Sequence, residues 1–557
     1  MIPNSVASAA RGTVCQRATL YPIAAVRLQG MVFVGEELYA LDPTTGYLLA
    51  IERDRGATRI INAHHWQDFV GATGLALEGS TLWFSRYRDL YCWSLAQPDA
   101  RPERFTSLAE DIQGVAVQGN TLYLSCARQQ KILVLNRETG REITHFYAPG
   151  IGTENLAVRG EELWVCDDLE QTVYCLDRAT GEVHFAVLTP FENPTALAFA
   201  DEQLYIAYAH DEPYIRDNPN AHPNHELQYR DRAFVHPLYV AYYPEQNYAL
   251  SNGYRIEMSY VEELSPLDPF EIKDFEWRIA LPSETHRQHI RQIEPIGREF
   301  ELREVEGQQV AVFKFDQLDA QQRHLLGWRA IVDVWSIKYQ FTPADGDAPP
   351  ELTPEFKDRY LVDNDNLAME SDIIQRAASD ASDRETNLLR KMYNIRNYVY
   401  DRLSYGIKPH IDTPDVALAR GVGSCGEYLG VLLALARLNG IACRTVGRYK
   451  CPQDPLGRGH PLEPDFNHVW MEFYLPGYGW LPMESNPDDI QEGGPYPTRF
   501  FMGLAWYHAE MGKGIPFEKL YRAETGEMIP KEEVALGSLA INHVSFRVLD
   551  ELQPPIA

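Results

Sequence analysis

Cysteine is scarce in this 557-residue chain, and its eight copies (Cys15, Cys92, Cys126, Cys166, Cys175, Cys425, Cys443 and Cys451) never stand in a Cys-x-x-Cys spacing. That argues against zinc ribbons and dithiol redox pairs, and free thiols are the simplest reading. Long apolar runs are lacking too: no stretch approaches the ~18 residues of a membrane span. The first 30 residues show no basic segment followed by an apolar run and a small-residue cleavage site, so the expectation is a soluble cytoplasmic protein. Positive charge is in short supply. Against 79 Asp and Glu stand 51 Lys and Arg, a formal charge of −28, and no segment gathers enough of them for a nucleic-acid groove. Neither nucleic acid nor membrane is expected as a partner, and neutral or cationic substrates suit this surface better.

What is present is the material of packed domains: 45% hydrophobic residues, 23% charged residues and many aromatics. The length exceeds one hydrophobic core and predicts three or four domains. In the first third, five Leu-aromatic pairs recur: Leu38-Tyr39, Leu82-Trp83, Leu122-Tyr123, Leu163-Trp164 and Leu204-Tyr205, spaced 44, 40, 41 and 41 residues apart. Each follows an alternating apolar segment and a tight turn, as in GVAVQGNTLY and NLAVRGEELW, which reads as two paired strands. Gly56, Gly140 and Gly181 each stand eighteen residues after the leucine of their repeat. A period near 40 with several short strands resembles a β-propeller; the coils of a β-solenoid, the alternative, are usually shorter. After residue 210 a polar insertion rich in Pro, Asn and His interrupts the pattern before FVHPLYVAYY resumes it, finishing a fifth blade or starting a sixth.

The expected organisation is therefore multidomain. A propeller-like all-β region covers 1–265. A β-sandwich over 266–345 is read from FEWRIALP, the hairpin pattern ELREVEGQQVAVFKFD around Gly307, and GWRAIVDVWSIKYQF. The Pro-rich, acidic segment 343–354 then leads into an α+β domain over 355–557. That domain opens with a helix over 382–404, capped by Ser382 and Glu385, with Leu388, Met392, Ile395, Val399 and Leu403 on its apolar face.

The chemistry concentrates further on. Gly421, Gly423 and Gly426 surround Cys425, and the apolar run behind it ends at Asn439-Gly440, a helix C-terminal signal, so Cys425 is placed at a helix N-terminus. There the positive helix end lowers a thiol from its free value of roughly 8.5. A Cys-Gly by itself is more often structural, and the context decides. Forty residues later, FNHVWMEFYLPGYGWLPMESNPDD puts His468 at the start of one strand and Glu484 at the end of the next, joined by a Pro-Gly turn. His468 is the imidazole that takes the thiol proton and returns it to a leaving amine. Glu484 is placed to orient its ring, with Asn486 and Asp488 as alternatives.

Together, Gly-x-Gly-x-Cys-Gly, Asn-Gly-Ile, His-x-Trp-x-Glu and Gly-Trp before an acid resemble the transglutaminase-like superfamily, of papain-like fold, over about 360–510. The resemblance implies Cys425 as nucleophile, His468 as base and Glu484 where the family usually has aspartate, a departure of one methylene. It also implies a sandwich before the catalytic domain, as in bacterial members. The expected activity is hydrolysis of a peptide or amide bond through a thioester. Transfer of the acyl group to an amine, as in a transglutaminase, is the first alternative. A non-catalytic scaffold built around the propeller, which would bind a protein or peptide ligand, is the second. Peptide N-glycanase chemistry is disfavoured, because the CxxC pairs of that branch are missing.

Other residues are set aside. His460 lies in the loop CPQDPLGRGHPLEP and reads as a rim residue, and Cys443 and Cys451 as plain thiols. The group His210, Asp211, His222, His225 and His236 has no regular metal spacing. Asp363 and Asp365 sit in a segment that lacks the glycine of a calcium loop and has Ile374 at its glutamate position. No metal and no cofactor are assigned.

Overall fold

The computed structural model describes residues 13–14, 19–53, 56–214, 228–264, 271–319, 323–382, 384–453, 459–464 and 467–556. The fold is mostly β. It divides into two compact units, Gln16–Pro244 and Glu245–Ala557, the second joined by Val14 through a bridge to Leu552.

In the first unit, five antiparallel sheets follow one another along the chain, over 31–60, 72–107, 114–147, 154–188 and 194–238. The first four have four strands each in simple meander order. Every Leu-aromatic pair of the repeat lies on the second strand of its sheet, and all five leucines are buried. The turn before each pair needs one left-handed residue. Gly35, Gly79, Gly119 and Gly160 supply it at φ of 56–63°, and Asp201 takes the place of glycine at 52° in the fifth repeat.

Neighbouring sheets share apolar clusters. Leu41 and Leu48 meet Leu75 and Phe84, and Trp83 and Leu90 meet Leu122 and Leu124. Tyr123 and Ile132 meet Leu163 and Leu176, while Trp164 packs edge-on against Phe199 at 5.4 Å. The series returns on itself, since Leu38, Leu49 and Ile51 of the first sheet pack with Ala196, Tyr205 and Val235 of the fifth. The strands Gln203–Tyr214 and Gln228–Leu238 pair from Leu204↔Leu238 to Tyr214↔Gln228, so FVHPL belongs to the fifth sheet. The fourth position of that sheet falls to the start of the chain. Leu20 N–H donates to the Val235 carbonyl at 2.8 Å, and Val235 N–H returns the bond at 2.9 Å. This is a propeller-like repeat.

The two larger sheets of the second unit are antiparallel. In one, Tyr248–Leu264 lies between Ala540–Leu552 and His324–Tyr339, and Gln288–Gly297 follows beyond the latter. In the other the order is Glu301–Val305, Gln308–Asp319, Glu271–Ala280 and Glu518–Arg522. The hairpin around Gly307 forms as read: Val305 faces Gln308 across Glu306 and Gly307, both with positive φ. Strands from 518–522 and 540–552 thus complete sheets whose other long members come from 248–339. Chain segments on both sides of the cysteine region share one body.

Between those strands lie the helices Asp372–Ser382, Leu388–Tyr400, Pro414–Arg420 and Cys425–Leu438, and a sheet of Cys443–Arg448, His468–Leu475 and Gly479–Met483 in that order. Their core gathers Met392, Ile395, Val399, Leu432, Leu435, Met471 and Phe473. One helix boundary departs from the sequence reading. Ser382 ends the preceding helix, its hydroxyl donating to the Ala378 carbonyl, and the next helix starts at Leu388 with Asn387 as its cap, accepting from Arg390 N–H at 3.0 Å. The carboxamide of Asn387 supplies the acceptor, so the Ser382/Glu385 spacing is not used. The apolar face is as expected, with Met392, Ile395 and Val399 fully buried.

Candidate active site

Cys425 is the first residue of the helix Cys425–Leu438. Ser424 caps it: its side chain accepts from the Glu427 N–H, and the Glu427 carboxylate accepts from the Ser424 N–H at 2.6 Å, a closed capping box. The nearby glycines have mechanical roles. Gly421 takes φ +74° to end the helix Pro414–Arg420, while a Cβ on Gly426 would stand 2.8 Å from Ile411. At the far end Asn439 and Gly440, with φ +76°, stop the helix where the sequence predicts.

The cysteine is 7% exposed. Its Sγ lies 3.9 Å from the Asn467 carbonyl, and the His468 side chain and the Val469 N–H are near enough to stabilise a negative charge on it. His468 turns Nε2 to Glu484, at 2.8 Å from Oε2 and 3.0 Å from Oε1, which leaves Nδ1 for the thiol. Strand pairing produces this arrangement. Met471 faces Met483 across the hairpin, so the residue that starts the strand His468–Leu475 and the residue after Met483 come to the same end.

Burial raises the Cys425 thiol, yet the hydrogen bond and charge of His468, with the Val469 N–H, outweigh it and leave the thiol below its ordinary value. Burial lowers the His468 imidazole, but the charge of Glu484, with the pull of the Cys425 and Glu484 side chains as acceptors, leaves it above its ordinary value. Glu484 is fully buried, which alone would raise it. Its neighbours His468 and Lys450 and its hydrogen bonds hold it well below the usual carboxylate range. Each of the three groups is thus shifted toward its charged form.

Glu484 has company that sequence reasoning missed. His508 Nε2 is 2.5 Å from Glu484 Oε1, and Lys450 Nζ is 3.4 Å from the same oxygen. Tyr405 lies close enough to Cys425 for the thiolate to raise its phenol further than burial alone does. The only signal for His508 in the sequence is its place in the aromatic run Trp506-Tyr507-His508, which marks a buried segment without saying what it touches. Asn486 and Asp488, the alternative orienting residues, are engaged elsewhere. Asn486 meets the Ser485 hydroxyl, and Asp488 accepts from Arg499 Nε at 2.9 Å.

The residues flanking His468 each border a cavity. Asn467 lines one of about 540 Å³ with Ser259, Tyr449, Asn542 and Ser545. Val469 lines another of about 300 Å³ with Arg359, Arg437, Arg444 and Phe517.

The described residues among those set aside in the sequence have surroundings of their own. His460 is exposed, and Leu462 beyond it bridges to Phe546. Cys443 and Cys451 are both buried, and burial pushes the Cys443 thiol up to about 11. Asp363 accepts from the N–H groups of Leu367 and Met369, and Asp365 pairs with Arg437 at 3.0 Å. His210 and His236 sit on the two long strands of the fifth sheet; His222 and His225 lie outside the described residues.

Residues 375–485 match the family model of the transglutaminase-like superfamily. Among curated proteins, none matches the chain in sequence. Among solved structures, a candidate cysteine protease from Cytophaga hutchinsonii is similar at 15% identity and a TM-score of 0.39, covering 56% of this chain and 96% of its own. A glutaminyl cyclase from Myxococcus xanthus is similar at 13% identity and a TM-score of 0.29, covering 41% of this chain and 96% of its own. Likeness at these levels is silent on activity.

Proposed function

We propose that the transglutaminase-like domain of this chain hydrolyses an amide bond of a peptide or protein through a thioester on Cys425. What supports the reading is Cys425 at a helix N-terminus beside His468, which lowers its thiol, with His468 hydrogen-bonded in turn to Glu484 at 2.8 Å. The Cys425 thiolate attacks the carbonyl carbon, and the negative oxygen that forms is met by backbone N–H groups of the helix start. His468, as imidazolium, gives its proton to the departing nitrogen when the C–N bond breaks. The neutral imidazole then takes a proton from water, whose oxygen attacks the thioester. The acid leaves, and the thiol and imidazole return to their starting states. Glu484 keeps the ring oriented and favours its charged form throughout.

Transfer to an amine uses the same thioester. Lys450 beside Glu484, and Arg448 across the strand pair from His468, disfavour the approach of an ammonium ion and support water as acceptor. We read the unit Gln16–Pro244 as a five-bladed β-propeller, closed by Leu20 on the fifth blade, that binds a protein or peptide ligand. The paired sheets of the second unit are read as the sandwich implied by the resemblance. The seven cysteines with described surroundings are unbridged, which supports a reducing compartment such as the cytoplasm.

The test is the rate of Cys425 alkylation by iodoacetamide against pH, read by peptide mass spectrometry in the wild type and in His468→Ala. Rapid labelling near neutrality that slows in the variant supports the reading, with Cys425→Ala abolishing turnover of amide substrates. Slow labelling that ignores His468 refutes it and favours the scaffold alternative. Incorporation of a labelled amine into protein would identify the transferase.

A further inference from the structure

Glu484 is longer by a methylene than the aspartate usual at its position, and a longer side chain has one more torsion to hold. The neighbour that restrains it is His508, fully buried, with Nε2 at 2.5 Å from Oε1. The backbone around His508 is itself clamped. Arg287 donates from Nη2 to the Ala505 carbonyl at 2.7 Å, from Nη1 to the His508 carbonyl at 2.9 Å and to Glu510 at 3.1 Å, and from Nε to the Trp335 carbonyl at 2.8 Å. Trp470 edge-on at 5.1 Å, Phe500 at 5.4 Å and Tyr507 stacked at 4.7 Å fix the ring plane.

We propose that His508 is a positioning residue of the Cys425 site: its Nε2–H pins one oxygen of the Glu484 carboxylate so that the other accepts from His468. This inference rests on the catalytic reading above and assigns a role to a residue outside the Cys-His-acid series. The charged and titratable groups around His508 are Glu484, Lys450, Arg287 and, through Glu484, His468. Burial pushes His508 down to about 4 despite the pull of Glu484, so at neutral pH the ring carries one proton. That proton sits on Nε2, because the charged Glu484 carboxylate at 2.5 Å is a stronger acceptor than the neutral Ala505 carbonyl 3.1 Å from Nδ1. A neutral donor orients Glu484 without bringing a second positive charge against the His468 imidazolium.

The experiment is the pH profile of Cys425 alkylation by iodoacetamide in the full-length chain, comparing wild type, His508→Phe and His508→Gln. Phenylalanine keeps the packing and loses the donor; glutamine places an amide N–H near the position of Nε2. In His508→Phe the midpoint of the acid limb is expected to rise by at least about one pH unit, a roughly tenfold slower reaction near pH 6, with the rate at high pH unchanged. His508→Gln should recover most of the loss. A wild-type midpoint in His508→Phe would overturn the proposal while leaving the catalytic reading intact, whereas an ordinary thiol midpoint in the wild type would sink the catalytic reading first. Should both variants fail to fold, nitrogen-15 histidine spectra of the wild type decide. A proton on His508 Nε2 that shifts in Glu484→Gln supports the role, and a proton resident on Nδ1 refutes it.

Discussion

Replacing Glu484 by Gln removes one charge from a fully buried carboxylate and leaves its size almost unchanged. The substitution weakens the 2.8 Å bond from His468 Nε2 to Oε2, which has a charged acceptor and no solvent to replace it. Such charge-assisted bonds contribute about 1.5–3 kcal/mol. Since one unit of pKa is about 1.4 kcal/mol, removing the charge corresponds to a shift of one to two units in the proton equilibrium of the thiol–imidazole pair. The sign follows from the direction of each group. Glu484 raises His468, and charged His468 lowers Cys425 by more than the direct repulsion of Glu484 raises it, so removing the carboxylate moves the thiol back up toward its ordinary value. The acid limb of Cys425 alkylation should move to higher pH by that amount, slowing reaction about 10- to 100-fold below the new midpoint and leaving it unchanged where the thiol is already ionised. The assay is iodoacetamide labelling across a pH series with near-ultraviolet circular dichroism as a control for folding. A midpoint within a few tenths of a unit of wild type would mean that Glu484 does not govern the pair. Glu484→Asp sharpens the test: its carboxylate retracts from both imidazoles, so the residue usual in the family should perform worse here than glutamate.

Three more outcomes are expected. Glu262 and Glu518 share the Tyr260 hydroxyl at 2.5 and 3.0 Å, and burial, followed by the charge of Glu518, raises Glu262 to about 8. The folded state therefore holds a proton that the unfolded chain releases near its ordinary glutamate value. Stability should fall as pH rises from about 4.5 to 8, and Glu262→Gln should flatten that fall in urea melts followed on the Glu245–Ala557 unit. Gly447 has φ +101°, and a Cβ there would stand 2.3 Å from the Trp470 ring, so Gly447→Ala should displace Trp470 and slow Cys425 alkylation near neutrality as well as lower the melting temperature. Leu122→Ala empties a fully buried position between the second and third sheets and should cost about 2–5 kcal/mol by denaturant melts, with Cys425 alkylation in folded protein unaffected.

Much of this protein was legible before any coordinates. The period near 40 placed five leucines on five equivalent strands, because a strand that buries one face must repeat its apolar position in every copy, and a two-residue turn demands a left-handed residue at a fixed offset. The position of Cys425 at a helix start was legible for the same kind of reason: the glycines and Asn439-Gly440 act within a few residues of themselves. His468 and Glu484 came into view because one short hairpin sets their separation. The cap at Ser382 was misread because Asn387 offers an equivalent acceptor five residues later, and local spacing does not rank the two.

Tertiary structure alone decided the rest. Leu20 completes a sheet more than two hundred residues away, and the strand Ala540–Leu552 lies beside Tyr248–Leu264, because an open edge of N–H and C=O groups accepts any segment of matching alternation and no pattern in one strand names its partner. His508 on Glu484 and Arg287 on the 505–510 backbone belong to this second class. A buried polar group must find a partner, but where that partner lies in the chain is settled by how the sheets stack and not by spacing. Local chemistry thus wrote the placement of Cys425 and His468 into the sequence, while the surroundings that hold Glu484 in place exist only once distant strands have met.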